Sequence, residues 1–361
     1  MKHSGPFAPA GRGACSNPTN RFSAFRYEEV ADGWEWEEPA ATQATEVRFE
    51  RARSAINYNR SPDIGFDRSV NPYRGCEHGC IYCFARPSHA YLDLSPGLDF
   101  ETRLVAKTNL AECLERELRR PGYRPRPLAL SVNTDAYQPL ERELGITRQL
   151  LQVLLRYRHP VHIVTKSTLI LRDLDLLAAL AEQRLVSVAI SLTTLDDDLK
   201  RSLEPRAPSG RARLRTIRAL REAGVPVAVL CAPMIPMIND HELERLLAAA
   251  RDAGARFGGY VLLRLPHEVA PLFEEWLQQH MPARAAHVMS LIRQMRGGAR
   301  YDSRFGIRMR GEGVFAQLLA RRFALACRRL RLLERSSALA LDCSHFALPP
   351  DARGGRQLSL F

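Results

Sequence analysis

No stretch of this 361-residue sequence is long and apolar enough to cross a bilayer, which takes about 20 residues. The longest apolar run, Val225–Ile238, is shorter than that and is broken by Pro226, Pro233 and Pro236. The N-terminal stretch MKHSGPFAPAGRGAC lacks the apolar core of a secretory signal. These absences predict a cytoplasmic protein with no membrane association. Lysine is scarce: Lys2, Lys107, Lys166 and Lys200 stand against forty-eight arginines. Acidic residues are scarce in one place, for between Arg284 and Arg335 thirteen arginines meet only Asp302, Glu312 and Glu334. That segment carries +10 of a net charge of +12, a concentrated field that suits a polyanion such as nucleic acid as well as it suits a solvated arginine-rich helix face.

A reducing compartment argues against a disulfide framework for the eight cysteines. Cys15, Cys113, Cys231, Cys327 and Cys343 are scattered and read as small buried side chains. The other three fall within CEHGCIYC, Cys76 to Cys83, at spacing C-x3-C-x2-C, and a cytosolic cluster of this kind reads as a metal site.

Residues 1–55 show little periodicity and read as a loosely ordered arm, with Trp34 and Trp36 as local anchors. From Asp67 onward, short apolar runs alternate with amphipathic segments. SVNPYRG (69–75), PLALSV (127–132), VHIVTK (161–166), LVSVAISL (185–192), VPVAVL (225–230) and GYVLLRL (259–265) read as strands buried on both faces. Thr147–Tyr157, Asp173–Glu182, Arg211–Ala223 and His241–Asp252 read as the helices between them, with Gly224 and Gly254 as two helix stops. Six such βα units predict an α/β fold on a parallel sheet, either an open doubly wound sheet or an incomplete barrel. In both, ligands gather at the C-terminal strand ends, where the cysteine loop would lie. The expected division is an arm (1–55), a βα domain (56–270), a helical basic extension (271–345) and a flexible tail (346–361).

Three thiolates admit several readings. Structural zinc wants four protein ligands, and here only His78, on the same short loop, could join the cysteines. Three sulfurs without a fourth suit an iron–sulfur cubane with one iron left open. Idle cysteines complete the range.

The spacing, the aromatic Tyr82 before the last cysteine and the position after a first strand resemble the radical S-adenosylmethionine (SAM) superfamily, over roughly Asp67 to Leu265. CFARPSHAYLDLSPGLDFETRLVAK (83–107), SVNTDAYQPLERELGITR (131–148), TKST (165–168) and LEPRAPS (203–209) resemble the spore photoproduct lyase branch, in an uncharacterised bacterial subgroup. The resemblance implies a partial (β/α)6 barrel and a 4Fe–4S cluster on Cys76, Cys80 and Cys83. It further implies SAM on the open iron and an electron donor such as flavodoxin or ferredoxin. It implies SAM contacts from Asn133, Thr134 and Asp135, from Lys166, from Ser191 and Thr193, and from Glu204 and Arg206, the last two as an ion pair. The branch uses a cysteine hydrogen donor just before the segment that here reads SVNTD, which has none. Cys231 at the end of the fifth strand, with Tyr137 or Tyr91, is the expected substitute.

The chain closes on QLSLF after a Pro/Gly-rich stretch. Gln357 can hydrogen-bond while Leu358, Leu360 and Phe361 fill an apolar pocket, and the pattern resembles the bacterial sliding-clamp-binding pentapeptide. The expected activity is therefore radical SAM chemistry on DNA, in lesion repair or base modification. RNA or protein modification, and a non-enzymatic zinc-bearing nucleic-acid-binding module, are the competing readings.

Overall fold

The computed structural model describes residues 11–23, 44–334 and 341–350. The QLSLF residues Gln357, Leu358, Leu360 and Phe361, and the anchors Trp34 and Trp36, lie outside the described residues. Strands in chain order are β1 (Glu46–Glu50), β2 (Asn57–Tyr58), β3 (Arg68–Val70), β4 (Tyr73–Arg74), β5 (Arg103–Lys107), β6 (Leu128–Leu130), β7 (Val161–Thr165), β8 (Val186–Ser191), β9 (Val227–Met234), β10 (Phe257–Leu262) and β11 (Leu333–Glu334).

The main sheet runs β11-β10-β9-β8-β7-β6-β3-β2. From β3 to β10 every pairing is parallel and every neighbour is the next strand of that sheet in the chain. A doubly wound sheet reverses its strand order at a switch point. Here there is no reversal, and the winding is that of a partial barrel. The helices Ile146–Arg156, Leu174–Glu182, Gly210–Glu222 and Leu243–Asp252 form the crossovers, each within two residues of its expected limits. Their apolar stripes meet the outward strand side chains Val161, Ile163, Val186, Val188, Ile190, Val227 and Val229, all buried in one core. The alternate residues make the inward face, and they are mostly small: register aligns Ser69 with Ala129, Ala189 with Ala228, and Leu230 with Gly259. Small inward side chains leave room that a filled barrel would not.

Two features depart from the sequence reading. The stretch 69–75 is not one strand: it breaks at Asn71–Pro72, and Tyr73–Arg74 pairs antiparallel with β5 in a separate β1-β5-β4 sheet. Proline has no N–H to continue the ladder. Within the stretch read as an arm, residues 13 and 14 are packed, with Ala14 fully buried and the Gly13 and Ala14 N–H groups bonded to Glu101 at 2.9 Å. Beyond β10 the chain is helical, in Val269–His280, Pro282–Gln294 and Gly313–Leu330. No helix among the described residues is long and apolar enough to cross a membrane.

Candidate active site

The chain leaves the main sheet after β3, at the C-terminal end of the parallel strands, and the cysteine loop follows β4 of the small sheet. Two glycines with left-handed backbone, Gly75 at φ 75° and Gly79 at φ 66°, let it turn tightly. A Cβ at Gly75 would lie 2.6 Å from Leu104 Cδ2 and 2.9 Å from the Phe100 carbonyl, so the loop sits hard against its support.

Buried polar groups hold it there. The fully buried Arg86 donates to the carbonyls of Cys80 (3.0 Å), Pro96 (3.1 Å) and Gly97 (2.8 Å) and pairs with the buried Glu101. Gln138 accepts from the Glu77 N–H at 2.8 Å and donates to the Gly75 carbonyl at 3.3 Å. The Ile81 N–H bonds to the Leu203 carbonyl at 3.1 Å, tying the loop to the segment after β8. Each bond removes a freedom the three sulfurs would otherwise have.

Cys76 and Cys80 are buried and Cys83 is partly so. Burial raises the Cys76 thiol well above its ordinary value, and Asp135, Cys80 and Cys83 add to that. Burial likewise pushes Cys80 up to about 12 although Lys166 opposes it. These are thiols whose deprotonated forms want a cationic centre. Among the described residues no three His, Cys, Asp or Glu side chains close on a single metal ion. His78, the fourth ligand a zinc site would need, is turned instead to Asp135, Nδ1 to Oδ2 3.4 Å. A donor set of three thiols with no fourth fits a cubane with an open iron.

The strand ends bring further groups to the loop. Asp135 accepts from Thr165 Oγ1 (2.7 Å), the Lys166 N–H (2.9 Å) and the Tyr137 N–H (2.9 Å), besides facing His78. Its acceptor capacity is therefore largely used in joining the ends of β6 and β7 to the loop. Asn133 donates its N–H to Asn71 Oδ1 at 3.1 Å, and Thr134 Oγ1 donates to the Tyr73 carbonyl at 2.9 Å. Lys166 is half-buried with Nζ 5.8 Å from the centre of the Tyr82 ring. Burial works against its charge, but Cys80, Glu204 and Asp135 outweigh it and hold the ammonium form.

Glu204 is fully buried and is the hub of a second network. It accepts from Thr193 Oγ1 at 2.7 Å and from the Tyr82 hydroxyl, and it pairs with Arg213. Arg213 also donates to the Ser191 carbonyl at 3.0 Å. Burial alone would raise the Glu204 pKa, yet Arg213 and Lys166 bring it down to about 2. The expected pairing of Glu204 with Arg206 is not formed. The intervening Pro205 turns the chain, so that Arg206 meets Glu77 at 3.1 Å while Glu204 points inward to Arg213. Nothing in the sequence marks Arg213, one arginine among forty-eight.

The substitute hydrogen donors lie elsewhere. Cys231 aligns with Tyr260, whose ring packs 4.8 Å from Phe323 of the helix Gly313–Leu330, and Cys327 of that helix adds to the effect of burial in raising the Cys231 thiol. Strand alternation thus directs Cys231 outward, and Leu230 and Ala232 take the inward face. Tyr137 is fully buried; burial raises its phenol and the nearby Asp173 and Glu141 reinforce this. Tyr91 is an exposed surface residue against Phe22.

Residues 70–250 match the family profile described as the radical SAM superfamily. An uncharacterised protein of Mycobacterium tuberculosis is 39% identical over 259 residues, covering 70% of this chain and 76% of that one. An uncharacterised protein of Methanocaldococcus jannaschii is 28% identical over 192 residues, covering 53% of this chain and 69% of that one. Among solved structures, spore photoproduct lyase complexed with dinucleoside spore photoproduct superposes with a TM-score of 0.56 at 12% identity, covering 80% of this chain and 81% of that one. A variant of the same lyase gives 0.57 at 13% identity over the same shares. At that identity the likeness is one of fold.

Proposed function

Because the chain belongs to the radical SAM superfamily, we propose that its substrate is a nucleic acid, DNA first of all, from which a hydrogen atom is abstracted in lesion repair or base modification. Cys76, Cys80 and Cys83 would hold a 4Fe–4S cluster, which with SAM on its open iron supplies one-electron reductive cleavage of the sulfonium to methionine and a 5′-deoxyadenosyl radical. The electron comes from a protein reductant of the flavodoxin or ferredoxin class.

The chain's own residues bind and orient. Lys166, held as an ammonium at the end of β7, offers a point charge to the SAM carboxylate or ribose. Asn133 and Thr134 line the end of β6 where the amino group would lie, and Asp135 positions them through its bonds to β7. Ser191 and Thr193 are kept in place by Arg213 and Glu204, so the role of Glu204 is to position rather than to touch the cofactor. Arg206, bonded to Glu77, steadies the far side of the loop.

The case for DNA rests on charge and on the fold. Arg310, Arg321, Arg328, Arg329 and Arg331 are exposed and form no ion pair among the described residues. Their field favours a polyanion and makes binding salt-dependent. The lyase that shares the fold is complexed with dinucleoside spore photoproduct. The QLSLF tail would add a tether to the sliding clamp, raising the local concentration of DNA.

The observation that carries the reading is the three-thiol loop at the C-terminal end of a partial barrel, with His78 paired to Asp135. The test is anaerobic incubation of reconstituted enzyme with SAM and deuterated oligonucleotides. Deuterium should appear in 5′-deoxyadenosine. Transfer only from deuterated RNA or peptide contradicts the DNA assignment.

A further inference from the structure

Arg264, a cation at the barrel mouth, has no counter-charge among the described residues. Arg264 follows the end of β10, on the same side as the cysteine loop. Its guanidinium lies 4.8 Å from the centre of the Phe84 ring, and Phe84 directly follows Cys83. Nη1 reaches only the Met309 thioether at 3.5 Å, a weak acceptor, and Nη2 the neutral Tyr301 hydroxyl at 3.4 Å. Nε is buried with no hydrogen-bond partner among the described residues. No carboxylate among the described residues forms an ion pair with it.

The surroundings sharpen the anomaly. Arg296 is 2% exposed and spends its donors on the Ile307 and Leu263 carbonyls, at 2.6 and 2.8 Å, and so brings a second positive charge to the same strand end. Asp302, next to Tyr301 in the chain, is bound to Arg304. Arg86 and Arg213, both fully buried, have carboxylate partners in Glu101 and Glu204. A guanidinium held in place, desolvated at Nε and left without an anion is arranged to receive one from outside the chain.

Beside it, Phe84 is 44% exposed, a large apolar ring open to solvent next to a cluster ligand. An anion receptor joined to a free aromatic face matches a nucleotide unit, with phosphate on the guanidinium and base on the ring. We propose that Arg264, with Phe84 and supported by Arg296, seats a phosphodiester of the substrate strand and so fixes which nucleotide stands over the cysteine loop. This rests on the nucleic-acid reading above. A base within a stacked duplex could not reach the barrel mouth, so the strand bound here is single or locally unpaired.

The experiment measures fluorescence anisotropy of a labelled single-stranded oligonucleotide of about 12 nucleotides over a range of salt, using cluster-loaded protein. Arg264→Gln should weaken binding about ten- to hundredfold and lower the slope of log affinity against log salt by about 0.7. Arg264→Lys, which keeps the charge and lacks Nε, should recover the slope while binding less tightly than wild type. Arg218→Gln, an exposed residue of the helix Gly210–Glu222, should bind as wild type does. A probe with a neutral methylphosphonate backbone should not distinguish Arg264→Gln from wild type. If wild type binds the phosphodiester probe and Arg264→Gln binds it equally well, the seat is refuted while the nucleic-acid reading stands. If wild type binds no oligonucleotide, both fall. Thermal unfolding of each variant identifies any loss that is only a loss of fold.

Discussion

Glu204 receives the Arg213 guanidinium in a pair whose side chains are each 1% exposed. The same carboxylate takes the hydroxyl of Tyr82, the residue before Cys83, so this single group joins the cysteine loop to the ends of β8 and β9 through Thr193. Removing one partner leaves a buried charge uncompensated, at a cost of about 3–5 kcal/mol. Arg213→Met should therefore lower stability in urea by that amount and reduce the iron retained after reconstitution. Adding Glu204→Gln to it should recover a large part of the loss. A double-mutant cycle reads the coupling directly, and additive single losses would contradict the role assigned to the pair.

Replacing Cys76, Cys80 or Cys83 by Ala should abolish iron binding and SAM cleavage. Cys231→Ala should leave both intact, because Cys231 faces the helix Gly313–Leu330 and not the barrel interior. Iron and sulfide assays with 5′-deoxyadenosine quantitation check both arms. Lost turnover in Cys231→Ala at full iron content would restore it as a hydrogen donor.

His159 gives the fold a pH dependence. Nδ1 lies 3.0 Å from the Pro160 carbonyl, and Nε2 lies 2.8 Å from the Tyr123 hydroxyl, an arrangement that suits a neutral ring. Phe346 packs edge-on against it at 5.6 Å. Burial depresses its pKa from 6.5 to about 4. Between those values the unfolded chain binds the proton and the folded chain does not. Stability is therefore complete above 6.5 and falls, by roughly 3 kcal/mol, as the pH drops towards 4. Urea midpoints measured across this window should show the decline, and His159→Phe should flatten it.

Deleting Gln357–Phe361 should abolish co-purification with the bacterial sliding clamp and leave turnover on short oligonucleotides unchanged. Retained clamp binding would assign the contact to another part of the chain.

The barrel was legible because its strands are short β-branched stretches bounded by helix and turn signals, with Val161, Ile163, Val186, Val188 and Ile190 buried on their outward face. The cluster loop was legible because its spacing is local. What was not legible depended on contacts distant in sequence. Arg213 reaches Glu204 and Ser191 from the helix after them, and Arg86 and Glu101 meet across a turn whose path no periodicity records. The strand β1 pairs with β5 across more than fifty residues, and the alternation of EVRFE marks a strand without naming its partner. Cys231 was misplaced for another reason: it is not at a strand end, because β9 runs on to Met234, and register alone fixes the face it takes.

The central claim is that three thiols on one loop serve a cluster with an open iron. Anaerobic reconstitution followed by iron and sulfide analysis, then reduction in the presence of SAM, tests it most directly. The account predicts about four irons and four sulfides per chain, lost on replacing any one of Cys76, Cys80 and Cys83, with 5′-deoxyadenosine and methionine formed in equal amounts. A colourless protein that takes up one zinc per chain and leaves SAM intact would contradict it.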